Sequence, residues 1–215
     1  SLDLESTYQV GSSNVWNKAT LARQAVNGVY NELYVRASAS DSENNWKVMN
    51  EAYSSVMDTD KNWYHNQKVC YGDGTPSSSV FSNMYKYYYT FIFRANDIIS
   101  HIDKVPDMTA EEKGKLKAEA KFFRAFGYFN LNVLYRGVPL YLEYIENATN
   151  ATRPRSSEQD VWNAVIQDLT DCVEEKNLPD RYTAGSSDYG RVSRAVALAY
   201  RGQAYQFLAA RGEGD

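Results

Sequence analysis

An all-α fold carrying one long irregular loop is predicted for this chain of 215 residues, and three observations predict it. Apolar residues recur every three or four positions in five separate stretches, the signature of a helix with one buried face. Capping and stop signals bracket those stretches. Between the first and second of them, residues 38–79 lose the periodicity and turn to Ser, Asn, Asp and Gly, with Trp46, Tyr53, Trp63, Tyr64 and Tyr71 interspersed.

The first helix is predicted over residues 18–36, with Leu21, Ala25, Val29 and Leu33 on one face and Asn17 as a reasonable N-cap. The aromatic-rich loop follows, with a short helix around residues 44–54 and a turn at Gly72-Asp-Gly-Thr-Pro76. A loop of that length is either a docked structural excursion or a binding surface. The second helix, 78–102, carries a wide stripe from Phe81 through Tyr85, Tyr88, Ile92 and Ala95 to Ile102. Tyr87, Tyr88 and Tyr89 are consecutive, so one of these rings is expected to point away from the stripe, toward a partner or solvent. The third helix starts after Thr109, where Glu112 three residues on completes a capping-box pattern, and runs to about Tyr135. Its apolar face holds Leu116, Ala120, Phe123, Phe126, Gly127, Leu131 and Leu134, and Gly137-Val-Pro139 closes it. The fourth starts near Ser156 or Ser157 and presents Trp162, Val165, Leu169 and Cys172 until Asn177-Leu-Pro179. The fifth, 193–210, presents Ala197, Tyr200, Ala204 and Leu208.

Composition excludes several classes. Twenty-seven acidic against 23 basic residues give a net charge of −4, the wrong sign for neutralising nucleic-acid phosphates or anionic headgroups. No apolar run is long enough to span a bilayer as a helix. Cys70 and Cys172 show neither metal-ligand spacing nor a redox motif, and a disulfide between them is left open. His65 and His101 have no nucleophile or base beside them in sequence, and Glu111, Glu112 and Glu119 lie along a helix without forming a carboxylate pair, so no catalytic residue and no cofactor is expected. Glu119 and Arg124 are expected to support structure. Asp58-Thr-Asp60-Lys-Asn62 resembles the opening of a calcium loop, but Trp63 stands at the bend and Val69 at the twelfth position, which excludes an EF-hand.

Aromatic residues are 14% of the chain, with 18 Tyr and 4 Trp. Such rings offer a flat apolar face with a polar handle, the combination a sugar needs. Trp63 and Tyr64 are the leading candidates for ligand contact, with Asn66 and Asp60 as flanking hydrogen-bonding groups and Trp46 and Tyr71 as weaker candidates of the same kind. The same rings also suit pinning the loop to the helices, and both readings stand at this point. Trp162 reads as core.

Glu119, Ala120, Phe122, Arg124, Ala125, Tyr128, Phe129, Leu131 and the run Gly137 to Leu140 resemble the helix signature of the SusD/RagB family, nutrient-binding outer-membrane lipoproteins of Bacteroidetes. Arg136 stands where the family often has a second Gly. The Arg94-Ala-Asn-Asp-Ile-Ile99 stretch and Gly190-Arg-Val-Ser-Arg-Ala195 are similar to further family segments. The resemblance implies tetratricopeptide-like helix pairs for the third to fifth helices, although no clean 34-residue period is present; the small residues Ala125, Gly127, Gly202 and Ala204 are expected at crossing points, where small side chains let neighbouring helices approach closely.

It also implies a surface-exposed lipoprotein of polysaccharide utilisation that binds an oligosaccharide and works with a SusC-like TonB-dependent transporter. The lipid anchor would precede Ser1, and residues 1–215 would be the N-terminal helical domain of a longer protein. RagB-like peptide or protein import, and a protein-binding scaffold, are the alternatives on the same fold. An all-helical glycoside hydrolase would need two facing carboxyl groups about 5–10 Å apart.

Overall fold

A computed structural model describes residues 15–38, 79–146 and 151–212. Among these residues the structure is all-α, with no strand. Five α-helices follow in order: α1 (Ala19–Ser38), α2 (Ser79–His101), α3 (Ala110–Tyr135), α4 (Glu158–Glu174) and α5 (Arg194–Gly212), with a single 3-10 turn at Ile102–Lys104 between α2 and α3. This is the helical-repeat architecture expected of a tetratricopeptide-like chain. Of the long loop predicted over residues 38–79, residues 39–78 lie outside the described residues, while Ser38 and Ser79 are the end and the start of helices.

The chain divides into two compact units. One comprises Gly28–Tyr87, and the other Ser1–Asn27 with Tyr88–Asp215. In the smaller unit, Val29, Met84 and Tyr87 are buried and Tyr34 is exposed.

The larger unit is built around α3. Thr109 caps it in the predicted manner, its hydroxyl accepting from the Glu112 N–H at 3.2 Å. Nearly every position from Leu116 to Asn132 is buried, because α3 is covered on more than one side. On the α2 side the approach is close at Gly127. A Cβ there would lie 2.8 Å from Ile92 Cγ1 and 2.9 Å from the Tyr88 carbonyl oxygen, so only glycine lets the two backbones come this near. Phe91 stacks on Phe123 at 5.9 Å and Tyr88 packs edge-on against Phe126 at the same distance. On its other side α3 packs on α4, and α4 packs in turn on α5. Trp162 is fully buried, as predicted, edge-on to Phe129 at 5.2 Å.

The tyrosine triplet is a correction. Tyr87, Tyr88 and Tyr89 are all buried, so no ring is left to face solvent. Tyr88 is taken up by Phe126, while Tyr89 meets Phe93, Tyr128 and Tyr141.

The end of α3 also differs in detail from the expected glycine–proline stop. Arg136 itself takes the left-handed C-cap conformation, φ 51°, and Gly137 follows at φ 79°. A Cβ on Gly137 would lie 2.6 Å from the Ser156 carbonyl oxygen. Arg136 is thus the one described non-glycine residue in the left-handed region, a conformation that costs an ordinary side chain about 1 kcal/mol or more. Arg155 supports it by donating to the carbonyls of Tyr135, Arg136 and Gly137, which terminate the helix. Ser157 caps α4, accepting from the Asp160 N–H at 3.0 Å. That helix stops at Glu174, earlier than Pro179 suggested, because the Glu175 carboxylate turns back to the backbone and side-chain amides of Asn177.

Candidate functional site

The residues singled out for ligand contact, Trp46, Asp60, Trp63, Tyr64, Asn66 and Tyr71, lie outside the described residues. What the described residues show is the frame, and three polar clusters hold its parts together.

The first centres on Arg124. Its guanidinium makes two parallel bonds to Asp168, 2.7 and 2.8 Å, and donates to Asn96 Oδ1 at 2.9 Å and the Leu142 carbonyl at 2.8 Å. Both side chains are buried. Burial pushes the Asp168 carboxyl up from its ordinary value, and the Arg124 bonds oppose that rise. Fork-to-carboxylate geometry satisfies the charges together, as a buried pair requires. Arg124 therefore joins α2, α3, α4 and the segment after α3 at one point.

The second cluster straps that segment down. Residues 137–142 form no regular structure, yet their backbone is held by side chains. The Tyr141 N–H donates to Tyr128 Oη at 2.5 Å, and the Tyr141 carbonyl accepts from Asn96 Nδ2 at 2.8 Å and from the Tyr128 hydroxyl at 3.1 Å. Tyr89 donates to the Pro139 carbonyl at 2.7 Å and Arg153 to that of Leu140 at 2.9 Å. The Asn132 side chain accepts from the Gly137 N–H and donates to the Glu158 carbonyl, tying α3 to the start of α4. Burial raises the Tyr128 phenol well above its ordinary range, which keeps it a neutral donor and acceptor.

The third cluster joins α3 to the stretch before α5. Glu119, fully buried, receives two bonds from Arg191, 3.0 and 2.6 Å, and Arg191 reaches Asn27 Oδ1 at 2.8 Å. Lys115 bonds Asp188 at 3.0 Å and lies 5.4 Å from the centre of the Tyr182 ring.

Glu119 and Arg124 are structural, as predicted. His101 stacks on Trp16 at 5.6 Å and meets Tyr144 edge-on at 4.8 Å, with Nδ1 2.8 Å from the Asp97 carbonyl oxygen. Cys172 is a free, fully buried thiol, donating to the Ala118 carbonyl at 3.0 Å, and burial pushes its thiol up, away from thiolate reactivity. Among the described residues no group of His, Cys, Asp or Glu could hold a metal ion. Glu111, Glu174 and Glu175 line an open surface depression with Lys176, but Glu175 is already engaged by Asn177.

Asp168 and Arg191 were missed as partners from sequence. The signal was present for Asp168: it stands three residues after Val165 and seven after Val161, inside the apolar stripe of α4, where a carboxylate needs a cation.

The motif residues on α3 thus turn out to be the joints of the frame, and the frame itself can be compared with known proteins. Residues 2–206 match the SusD-like family described as starch-binding and associating with the outer membrane. The chain belongs to the SusD-like family. A SusD-like protein of Formosa agariphila is 36% identical over 135 residues, 62% of this chain and 25% of its own length. A laminarin-binding SusD-like protein of known structure superimposes with a TM-score of 0.76 at 26% identity, over 89% of this chain and 41% of its own. A SusD-like protein of Bacteroides fragilis gives a TM-score of 0.72 at 24% identity, covering 89% of this chain and 35% of its own, and shows the fold alone. The chain spans about a quarter of the length of the curated relatives it matches.

Proposed function

We propose that residues 1–215 are the N-terminal helical domain of a cell-surface SusD-like protein that binds an oligosaccharide and passes it to a TonB-dependent, SusC-like transporter of the outer membrane. The observation that carries this reading is the family match across residues 2–206, joined to the structural likeness to a laminarin-binding relative.

Capture is by recognition without reaction. Trp63 and Tyr64 supply flat apolar faces for a sugar ring, and Asn66 and Asp60 bond its hydroxyls. Trp46 and Tyr71 extend the aromatic surface. The helices act as the rigid mount, a role that suits the buried Arg124–Asp168 joint. A site on a rigid frame loses less freedom on binding and keeps more of its contact energy.

The test is affinity electrophoresis of the complete protein through gels containing laminarin or starch. Retention is expected, and Trp63→Ala with Tyr64→Ala is expected to weaken it about tenfold or more, the equivalent of about 1.4 kcal/mol. Unchanged retention in the folded double variant would remove these rings from the site. Copurification of the membrane-extracted protein with a transporter tests the second half, and its failure under mild detergent counts against the partnership.

A further inference from the structure

We propose that Tyr189 is a second carbohydrate contact, one that takes a single sugar ring of a polymeric glycan against its exposed face. The inference rests on the reading of the whole protein as a glycan binder. It adds a contact far along the chain from the aromatic candidates at residues 46–71.

The chain first builds a mount for this ring. Between α4 and α5, residues 181–193 form a compact loop whose ends are closed by backbone bonds. The Arg194 N–H donates to the Pro179 carbonyl at 2.9 Å and the Ala195 N–H to that of Asp180 at 3.2 Å. Inside the loop the Ser186 carbonyl accepts from the Tyr189 N–H at 3.1 Å, and the Ser186 hydroxyl accepts from the Asp188 N–H at the same distance. Asp188, one residue before Tyr189, bonds Lys115, and Arg191, two residues after it, bonds the buried Glu119. The backbone of Tyr189 is therefore fastened to α3 on both sides. Gly190 follows at φ 95°, a turn that a side chain would resist.

On this mount the ring is held out. Tyr189 is 64% exposed, whereas Tyr87, Tyr88, Tyr89 and Tyr128, which serve the core, are all buried. Its exposed neighbours Thr183, Ala184, Gly185, Ser187 and Gly190 carry no charge. At the foot of the loop Asp180 is paired with Arg194 at 2.7 Å, and Arg181 is exposed. Tyrosine among serine, threonine and glycine is the chemistry of recognition loops. The ring gives a broad contact with few rotatable bonds to freeze, and the small polar residues supply hydrogen bonds. Preformed backbone lowers the cost of binding further.

Size selects the partner. A stable protein partner covers about 800 Å² of each surface, and one ring with a few small neighbours on a short loop falls well short of that. An aromatic side chain buries about 150–250 Å², the scale of one sugar ring. A neutral, hydroxylated ligand also suits the uncharged rim and its Thr183 and Ser187 hydroxyls. Such a contact is weak alone. Along a polymer already held elsewhere it acts at an effective concentration of about millimolar, so a contact of about millimolar strength multiplies retention severalfold.

Affinity electrophoresis of the complete protein through laminarin or starch gels tests the assignment. Tyr189→Ala, a surface change that leaves the fold intact, is expected to weaken retention about threefold. Tyr189→Phe is expected to keep it, because the ring face makes the contact. Retention of Tyr189→Ala equal to that of the parent overturns this proposal alone, and a loss as large in Tyr189→Phe overturns the stacking assignment. Unchanged retention with lost copurification of a transporter assigns Tyr189 to a protein contact and overturns it as well. A parent protein retained by neither gel overturns the glycan reading, and this contact falls with it.

Discussion

Gly127 in α3 and Gly202 in α5 both lie inside a helix, and the two have opposite surroundings. Around Gly127 the α2 backbone presses to the limit of contact, and the helix buries Glu119, Arg124 and Asn132, each with partners brought from elsewhere in the chain. Around Gly202 there is open space, contrary to the close crossing expected there, and α5 is anchored elsewhere, by buried Ala197 and Ala204, by Tyr200 against Phe122 and Phe129, and by Phe207 stacked on Trp162. The same residue type in the same secondary structure therefore means different things. A small residue records how near a neighbour comes, and only the neighbour reveals whether that closeness is used.

The largest expected effect breaks the better-covered region. Arg124→Met leaves the Asp168 carboxylate buried without its cation and frees Asn96 and the Leu142 carbonyl, at about 3–5 kcal/mol of unfolding free energy by chemical denaturation. The loss has a pH signature. Burial already holds the Asp168 pKa above its ordinary 3.8, and removing the guanidinium lets it rise further. Such a group favours the fold below its unfolded pKa, and that support is withdrawn as pH climbs through the folded value. The variant should therefore be less impaired near pH 4 than at pH 7. Adding Asp168→Leu is expected to recover part of the stability.

Next in size is the contrast between the glycines. Gly127→Ala drives a methyl into Ile92 and the Tyr88 carbonyl and is expected to cost about 1–3 kcal/mol, since the backbone oxygen cannot step aside. Gly202→Ala, whose methyl would meet nothing within 4 Å, is expected to gain about 1 kcal/mol. Equal effects at the two positions would erase the contrast.

The smallest effect concerns the Arg23–Glu112 pair between α1 and α3. The Arg23 bond, opposed by partial burial, holds the Glu112 carboxyl below its ordinary 4.5. Its contribution is present above pH 4.5 and is lost as pH falls through the folded value. Glu112→Gln should flatten that part of the acid unfolding curve slightly and leave neutral stability almost unchanged, because the pair is solvent-screened.

The helices were legible because the 3.6-residue stripe and the caps at Thr109 and Ser157 are local signals. The family resemblance was legible because the α3 residues that carry it are joints of the frame. What was not legible came from distance along the chain. Arg124 and Asp168 are 44 residues apart, and Glu119 and Arg191 are 72 apart, so nothing adjacent names the partner. The Tyr87–Tyr89 triplet misled for a related reason. A stripe argument assumes one covered face, and here α2 is covered on more than one, so that all three rings are buried while the neighbouring Lys86 stays exposed. The left-handed conformation of Arg136 was marked only by its standing where the family often has a glycine, and its support, the Gly137 turn and the Arg155 bonds, comes from residues further along the chain. The candidate ligand residues were chosen from residue chemistry alone, as rings and amides crowded into an aperiodic stretch, and they rest on that chemistry still.

One bracket in the frame bears on how such a protein can diversify. The stems on either side of residues 147–150 are clamped to each other: Tyr141 Oη donates to the Ala151 carbonyl, and the Arg153 guanidinium sits 5.0 Å from the Tyr141 ring centre while bonding Leu140 and Glu143. With both stems fixed, the residues between them can change in number without moving α3 or α4. Doubling such a connection adds only about 0.6 kcal/mol of closure entropy. Here the scaffold can accept a grafted excursion, and a lineage could try new surface there while its helices stayed as they are.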